Sequence, residues 1–262
     1  MSIIIDNNKI KKIYINNNNN NNNSEIQKGY IGINSQAKLF YENNNQKLPD
    51  GYIKIKYIQK NDTTSYINTG ILGIKPMKIQ AGTNNIGSGV KEIFGFLSTN
   101  PLSSNGKPYI SAAYFYDQYL YYYYYDQDEN ILDNKIYIEK NNFYDIGYNL
   151  NQNLHTFTFK DPNNESVKEI SVNYNQESYF INNENPLLLF GYYNTTSHSI
   201  ISGNSGLMIK KVEIYDDLQV NLLRNFIPCI SSNLEIGLYD LVTKEFYGNS
   251  GTGGFSPGPR DL

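Results

Sequence analysis

The stretch that decides the fold is Leu48-Pro49-Asp50-Gly51-Tyr52-Ile53-Lys54-Ile55-Lys56-Tyr57-Ile58-Gln59. After the Pro-Asp-Gly turn signal, Ile53, Ile55 and Tyr57 alternate with Lys54 and Lys56. That period of two marks a strand with one apolar and one polar face. Working outward, the same short strands recur towards the C-terminus. Candidates are 65–68, 77–81, 92–98, 109–115, 119–125, 135–139, 154–160, 169–172, 187–192, 211–215 and 246–247. Between them lie turn clusters such as Ser103-Ser104-Asn105-Gly106 and Asp161-Pro162-Asn163-Asn164. Many short strands at such spacing predict an all-β sandwich or barrel. The one helix-like stretch is Leu218–Leu223.

Composition agrees. The chain has 262 residues, 39% of them hydrophobic, with 25 Tyr and 12 Phe to supply ring area for a core. Its 22 basic and 25 acidic residues are mixed along the chain, and a net charge of −3 excludes a nucleic-acid-binding surface from the expectation. The single Cys229 excludes an internal disulfide framework, and His155 and His198 are too few for a multi-histidine metal centre. The short apolar run at Ile3-Ile4-Ile5 predicts no signal peptide, and no stretch suits membrane insertion. Synthesis in a cytosol is therefore expected.

Ahead of Leu48 the character changes. Residues 16–23 are eight consecutive asparagines, which bury nothing and read as a linker. On either side stands a short repeat, Ile10-Lys11-Lys12-Ile13-Tyr14-Ile15 and Ile26-Gln27-Lys28-Gly29-Tyr30-Ile31, offset by 16 residues. Each copy is expected to form a small hairpin, a β-ribbon that needs a partner for stability. The expected division is thus 1–47, repeats with an Asn-rich linker, and 48–262, the folded domain.

Three stretches carry a resemblance. The first is Leu48-Pro49-Asp50-Gly51-Tyr52, then Tyr57-Ile58-Gln59 and Tyr66-Ile67-Asn68-Thr69-Gly70. The second is Val212-Glu213-Ile214-Tyr215 leading to Arg224-Asn225-Phe226-Ile227-Pro228-Cys229. The third is Ile236-Gly237-Leu238-Tyr239-Asp240-Leu241-Val242 and then Phe246-Tyr247-Gly248-Asn249-Ser250-Gly251-Thr252-Gly253 with Phe255. Together they resemble the LamG-like, concanavalin A-like jelly-roll domains of tailed-phage and prophage structural proteins. Residues 75–185 match weakly. Asn68 stands where that family has Asp, so a metal-binding carboxylate does not carry over to this position. The N-terminal repeats resemble short adaptor repeats that precede such domains.

The resemblance implies an antiparallel jelly-roll β-sandwich and a virion structural protein of the tail-fibre or head-fibre type. It further implies a site on the virion surface, after synthesis in a bacterial cytoplasm. The expected partners are a bacterial surface glycan and, through the N-terminal segment, other virion proteins. A homo-oligomer, a trimer, is expected. The alternatives are a purely architectural decoration or spacer protein without ligand and a glycan-cleaving enzyme.

Enzyme chemistry finds little footing. A retaining glycosidase needs two carboxylates at about 5–5.5 Å, commonly at alternate positions of one strand. The nearest candidates are Glu213 with Tyr215 and Asp217, and Asp126 with Asp128. Glu213 reads as a surface residue and Asp126-Gln127-Asp128-Glu129-Asn130 as a polar loop, so no catalytic residue is expected. That loop is also the weak candidate for Ca²⁺, but it lacks the glycine and distal Glu of an EF-hand loop. No cofactor is expected. In the closing motif, Gly251 and Gly253 are expected to supply positive φ for a tight turn and Phe255 to tuck into the sheet. Tyr239, Phe246 and Tyr247 are then core aromatics, and Asp240 a partner for nearby backbone.

The most unusual stretch runs from Tyr114 to Tyr125. On a strand, Tyr121, Tyr123 and Tyr125 share one face, and Tyr122 and Tyr124 the other. Exposed tyrosines offer flat apolar rings and a hydroxyl to sugars or proteins. Tyr121, Tyr123 and Tyr125 are therefore the glycan-binding candidates. The competing reading is that both sets stack within the sandwich or against a neighbouring subunit.

Overall fold

The computed structural model describes residues 2–6, 9–14, 28–33, 36–42, 47–72, 77–85, 90–97, 110–117, 119–124, 134–137, 143–151, 154–160, 167–173, 186–194, 199–216 and 221–261. It falls into two compact units, Met1–Gln46 and Lys47–Leu262. The first holds two antiparallel hairpins, β1 (Ser2–Asp6) with β2 (Lys9–Tyr14) and β3 (Lys28–Ile33) with β4 (Gln36–Glu42). Residues 10–14 of the first repeat copy lie in β2, the second strand of its hairpin, whereas residues 28–31 of the second copy lie in β3, the first strand of the other.

The second unit contains strands and turns but no helix among the described residues. Its strands are β5 (Ile53–Lys54), β6 (Ile58–Lys60), β7 (Ile67–Leu72), β8 (Met77–Asn85), β9 (Val90–Leu97), β10 (Ile110–Tyr116), β11 (Tyr119–Tyr124) and β12 (Asn134–Tyr137). They continue as β13 (Tyr144–Asn151), β14 (Leu154–Lys160), β15 (Val167–Asn173), β16 (Pro186–Leu189), β17 (Tyr192–Asn194) and β18 (Ser199–Ile201). The last are β19 (Leu207–Tyr215), β20 (Leu222–Ile230), β21 (Ile236–Asp240), β22 (Glu245–Tyr247) and β23 (Phe255–Pro257).

They form two main antiparallel sheets. One has six strands in the order β12-β11-β10-β9-β16-β7. The other has eleven, with the path β15-β14-β13-β8-β19-β20-β21-β22 and with β5, β6 and β23 attached at its side. Buried Ile67, Phe94, Phe115 and Leu120 of the first sheet share one apolar cluster with Ile79, Ile146, Val212 and Phe226 of the second. Two sheets burying their apolar faces against each other make a β-sandwich. Each fully buried Phe contributes about 2–3 kcal/mol of transfer free energy.

Alternation explains which face goes inward. In β7 the odd residues Ile67, Thr69 and Ile71 are buried, while Asn68, Gly70 and Leu72 are exposed. β19 begins with Leu207, Met208 and Ile209 all buried, as fits a central strand covered on both sides. Of the helix-like stretch Leu218–Leu223, residues 218–220 lie outside the described residues, while Leu222 and Leu223 are not helical but begin β20, with Leu222 opposite Tyr215 of β19.

A buried lysine braces the sandwich. The Lys60 ammonium is 1% exposed and donates to the carbonyl of Phe190 at 3.0 Å and to the hydroxyl of Ser202. Ser202 in turn donates to the carbonyl of Ser65 at 3.1 Å. Hydrogen bonding of this kind is what makes burial of a charged group tolerable.

The first and last segments of this unit lie side by side. β23 pairs with β6, and Ile55 bridges to Arg260. Gly51 shows how the chain enters. Tyr52 N donates to the carbonyl of Pro49 at 3.1 Å, closing a turn in which Gly51 takes φ +87°, a conformation that costs glycine alone nothing.

Candidate functional site

The tyrosine-rich strands lie at one side of the six-stranded sheet. Register places Tyr116 opposite Tyr119, Phe115 opposite Leu120, and Tyr119 opposite Tyr137. Phe115, Leu120 and Ile136 are buried in the core. Because side chains alternate, Tyr116, Tyr119, Tyr121 and Tyr137 stand on the outer face. Their rings meet edge to face: Tyr116 to Tyr121 at 6.2 Å, Tyr119 to Tyr121 at 6.2 Å, and Tyr119 to Tyr137 at 5.8 Å. Tyr116 is 44% exposed and Tyr137 55%, whereas Tyr119 and Tyr121 are half-buried. Among the described residues the result is a ridge of four rings on the sheet surface.

Of the glycan-binding candidates, Tyr121 is therefore outside the sandwich core, in contact with Tyr116 and Tyr119. Tyr123 belongs to β11 and pairs with Ala112; Tyr125 lies outside the described residues. Tyr116 and Tyr137 were not singled out from the sequence. Only the cross-strand register brings them to Tyr119 and Tyr121.

Asp126, Asp128, His198 and Asp217 also lie outside the described residues. Glu213 is half-buried in β19 and pairs with the Lys211 ammonium at 2.7 Å. Among the described residues no group of three or more His, Cys, Asp or Glu side chains is placed to hold a metal ion. Burial pushes the Cys229 thiol up to about 12, far from the thiolate that nucleophilic chemistry requires.

The closing motif is bolted to the opening one. Asn249 accepts from the backbone N–H groups of Tyr66 and Gly251, both at 3.1 Å, and donates to the carbonyls of Gly251 (3.1 Å) and Gly253 (2.7 Å). Asp62 accepts from Thr64 N, Thr64 Oγ1, Ser65 Oγ and Gly254 N at 2.7–3.0 Å. Burial alone would raise the Asp62 carboxyl, but these backbone and hydroxyl donors outweigh it and hold the pKa at about 2.

The glycines of this motif work differently from expectation. Neither Gly251 nor Gly253 takes positive φ. A Cβ on Gly251 would stand 1.7 Å from the Thr64 carbonyl oxygen, and one on Gly253 1.9 Å from Asp62 Oδ1. Close approach of another segment requires them, not a tight turn. Phe255 is buried in β23, and Tyr239 is buried beside Tyr52, with ring centroids 5.4 Å apart. Asp240, fully buried, accepts from the N–H groups of Asn225, Val242 and Thr243, and from the Thr243 hydroxyl.

Beside this clasp lies an open cleft of about 700 Å³ that sequence reading missed. Asn68, Glu235, Phe246, Tyr247 and Ser250 line it together with the backbone of Gly248, Gly253 and Gly254. Gly237 makes room for one wall, since a Cβ there would come within 2.7 Å of the Phe246 ring.

No family model matches the chain, and no curated protein matches its sequence. Solved structures with similar architecture include a putative carbohydrate binding protein from Bacteroides ovatus, at 11% identity and TM-score 0.47, covering 80% of this chain and 61% of that one. The LG1-3 region of the laminin alpha2 chain shows 9% identity and TM-score 0.46, covering 84% of this chain and 38% of the other. A tailspike protein 2 of an Escherichia coli bacteriophage shows 10% identity and TM-score 0.42, covering 76% and 28%. The chain spans about two fifths of the length of the laminin chains it matches.

Proposed function

We propose that residues 47–262 are a non-catalytic glycan-binding domain displayed on a phage particle, with the outer tyrosine ridge as its contact surface. The observation that carries this reading is the set of four rings on the outer face, with Tyr116 and Tyr137 about half exposed. A sugar ring offers a face of C–H groups with hydroxyls at its edge. Tyrosine answers both, with an apolar face and a phenolic hydroxyl. One such ridge binds weakly, and many copies on one particle reach useful affinity by avidity.

The virion setting and the trimeric state rest on the sequence resemblance of the opening and closing motifs. In this reading the N-terminal hairpins attach the chain to the particle or to its symmetry mates. Imaging of labelled chain within intact particles tests the setting; absence from every particle overturns it.

Glycan-array binding by the full chain, displayed multivalently, tests the contact surface. Binding is expected for wild type and is expected to fall at least tenfold in a double variant, Tyr116→Ala with Tyr137→Ala. Undiminished binding in that variant overturns the assignment to these residues.

A second reading, an architectural spacer, is favoured by one observation: the rings contact each other across strands, as pairs that stabilise a sheet do. No glycan binding at any valency, with assembly of particles impaired by the double variant, selects it.

A further inference from the structure

We propose that the cleft beside the closing motif is a second ligand site, and that it takes an amine-bearing saccharide such as a glucosamine unit. The site is distinct from the tyrosine ridge. Asn68 sits on β7, at one edge of the six-stranded sheet, and the tyrosines on β10 to β12 towards the other. Strand spacing puts the two roughly 15–25 Å apart across the sheet. The inference stands whether or not the ridge binds glycan.

Three features select the ligand. The volume, about 700 Å³, suits one or two sugar rings and is large for a single amino-acid side chain. The lining joins the aromatic residues Phe246 and Tyr247, whose rings alternate to opposite faces of β22, to the polar residues Asn68 and Ser250, a mixture of apolar and polar surface that meets a hydroxylated ring. Finally, among the described residues Glu235 is the one charged side chain lining the cleft, and it is exposed. A lone carboxylate disfavours uronic or sialic acids and favours an ammonium, to which it can accept a charge-assisted hydrogen bond.

The polar groups divide into those the fold uses and those that remain turned to the cleft. Asn249 spends both ends of its amide on Tyr66, Gly251 and Gly253, and the Tyr247 hydroxyl donates to Glu245 at 3.1 Å. Asn68 accepts from Gly70 N at 2.9 Å through its oxygen, which leaves its amide N–H groups as donors. Glu235 holds its turn through backbone alone: its N–H donates to Ser231 Oγ and its carbonyl accepts from Ser231 N. Its side chain is therefore replaceable without loss of the turn.

The test is calorimetric titration of the full chain with a glucosamine tetrasaccharide, its N-acetylated counterpart, a galacturonate oligomer and oligolysine, with the amines protonated. Wild type is expected to bind the amine form, the acetylated form about tenfold more weakly, and the uronate not at all. Glu235→Gln is expected to remove the tenfold preference while keeping the weaker binding of the acetylated form. Glu235→Arg is expected to reverse the preference towards the uronate. The proposal is overturned by absence of saturable binding in wild type, by a preference that survives Glu235→Gln, or by equal binding of oligolysine. Loss of all saccharide binding in the Tyr116→Ala, Tyr137→Ala double variant overturns it too, while supporting the ridge.

Discussion

The clasp and the tyrosine ridge occupy the same sandwich and use their side chains in opposite ways. In the clasp, Asp62 and Asn249 direct their oxygens and N–H groups to turn backbone and hydroxyls nearby, and each also accepts from one backbone N–H remote in sequence, that of Gly254 and that of Tyr66. In the ridge, Tyr116 and Tyr137 keep much of their surface in water and touch neighbouring rings at their edges. Polar residues that look functional by type are consumed by the fold. Aromatic residues that look like core are set outside it. The contrast predicts that substitutions in the clasp change stability and those in the ridge change binding.

The largest expected effect is at Gly251. A methyl group 1.7 Å from the Thr64 carbonyl oxygen cannot be accommodated by a side-chain rotation, because the obstacle is backbone. Gly251→Ala is expected to cost about 3 kcal/mol or more, read as a lowered denaturation midpoint or as failure to fold. A loss under about 0.5 kcal/mol, the range of an ordinary surface change, would show that the segments are not held together this closely.

Next comes Asn249→Ala, which orphans two N–H groups and two carbonyls that are partly buried. A loss of about 2 kcal/mol is expected in chemical denaturation. Asp62→Asn is expected to cost less, about 1–2 kcal/mol, since an amide oxygen can still accept some of the same bonds. Its signature is pH dependence. The folded pKa, about 2, lies below the unfolded value near 4, so the stabilisation is complete above the unfolded value and is lost as pH falls through the folded one. The stability gap between wild type and Asp62→Asn should be constant at neutral pH and close as pH falls from about 4 to about 2. A gap that does not narrow would mean that the carboxylate is not the group being held.

The same contrast explains what could be read from the chain beforehand. Ile55 is buried between the exposed Lys54 and Lys56, so the alternation at 53–57 marked the inward side on local evidence, although the strand itself, β5, spans only Ile53–Lys54. The opening and closing motifs were legible as a signature of the fold, and the structure gives the reason: β6 pairs with β23, and Tyr66 and Asn68 bond to Asn249 and Ser250. The roles of Gly251 and Gly253 were not legible, because what they avoid, Thr64 and Asp62, is remote in sequence. β13 escaped notice because Asp145, Gly147 and Asn149 break an apolar reading, and β8 and β14 pair with it on both sides. The cleft has no local pattern at all. Asn68, Glu235 and Tyr247 meet only when the strands do.

The smallest effect on stability is expected at the ridge, and it decides what the ridge is for. Tyr137 is more than half exposed and, among the described residues, has one edge-to-face neighbour, Tyr119. Such a cross-strand aromatic pair contributes about 0.2–1 kcal/mol, so Tyr137→Ala should lower stability by roughly 0.5 kcal/mol. If the ridge meets a sugar, this small change in folding accompanies a much larger loss in glycan binding, because each ring removed takes away a contact that the fold does not need. A Tyr137→Ala variant destabilised by about 2 kcal/mol or more would place the ring among the supports of the sheet, and the opposition between clasp and ridge would dissolve. The two measurements must therefore be made on the same variant: stability by denaturation, binding on a multivalent glycan surface. Independence of the two readouts is what a surface built for a partner demands.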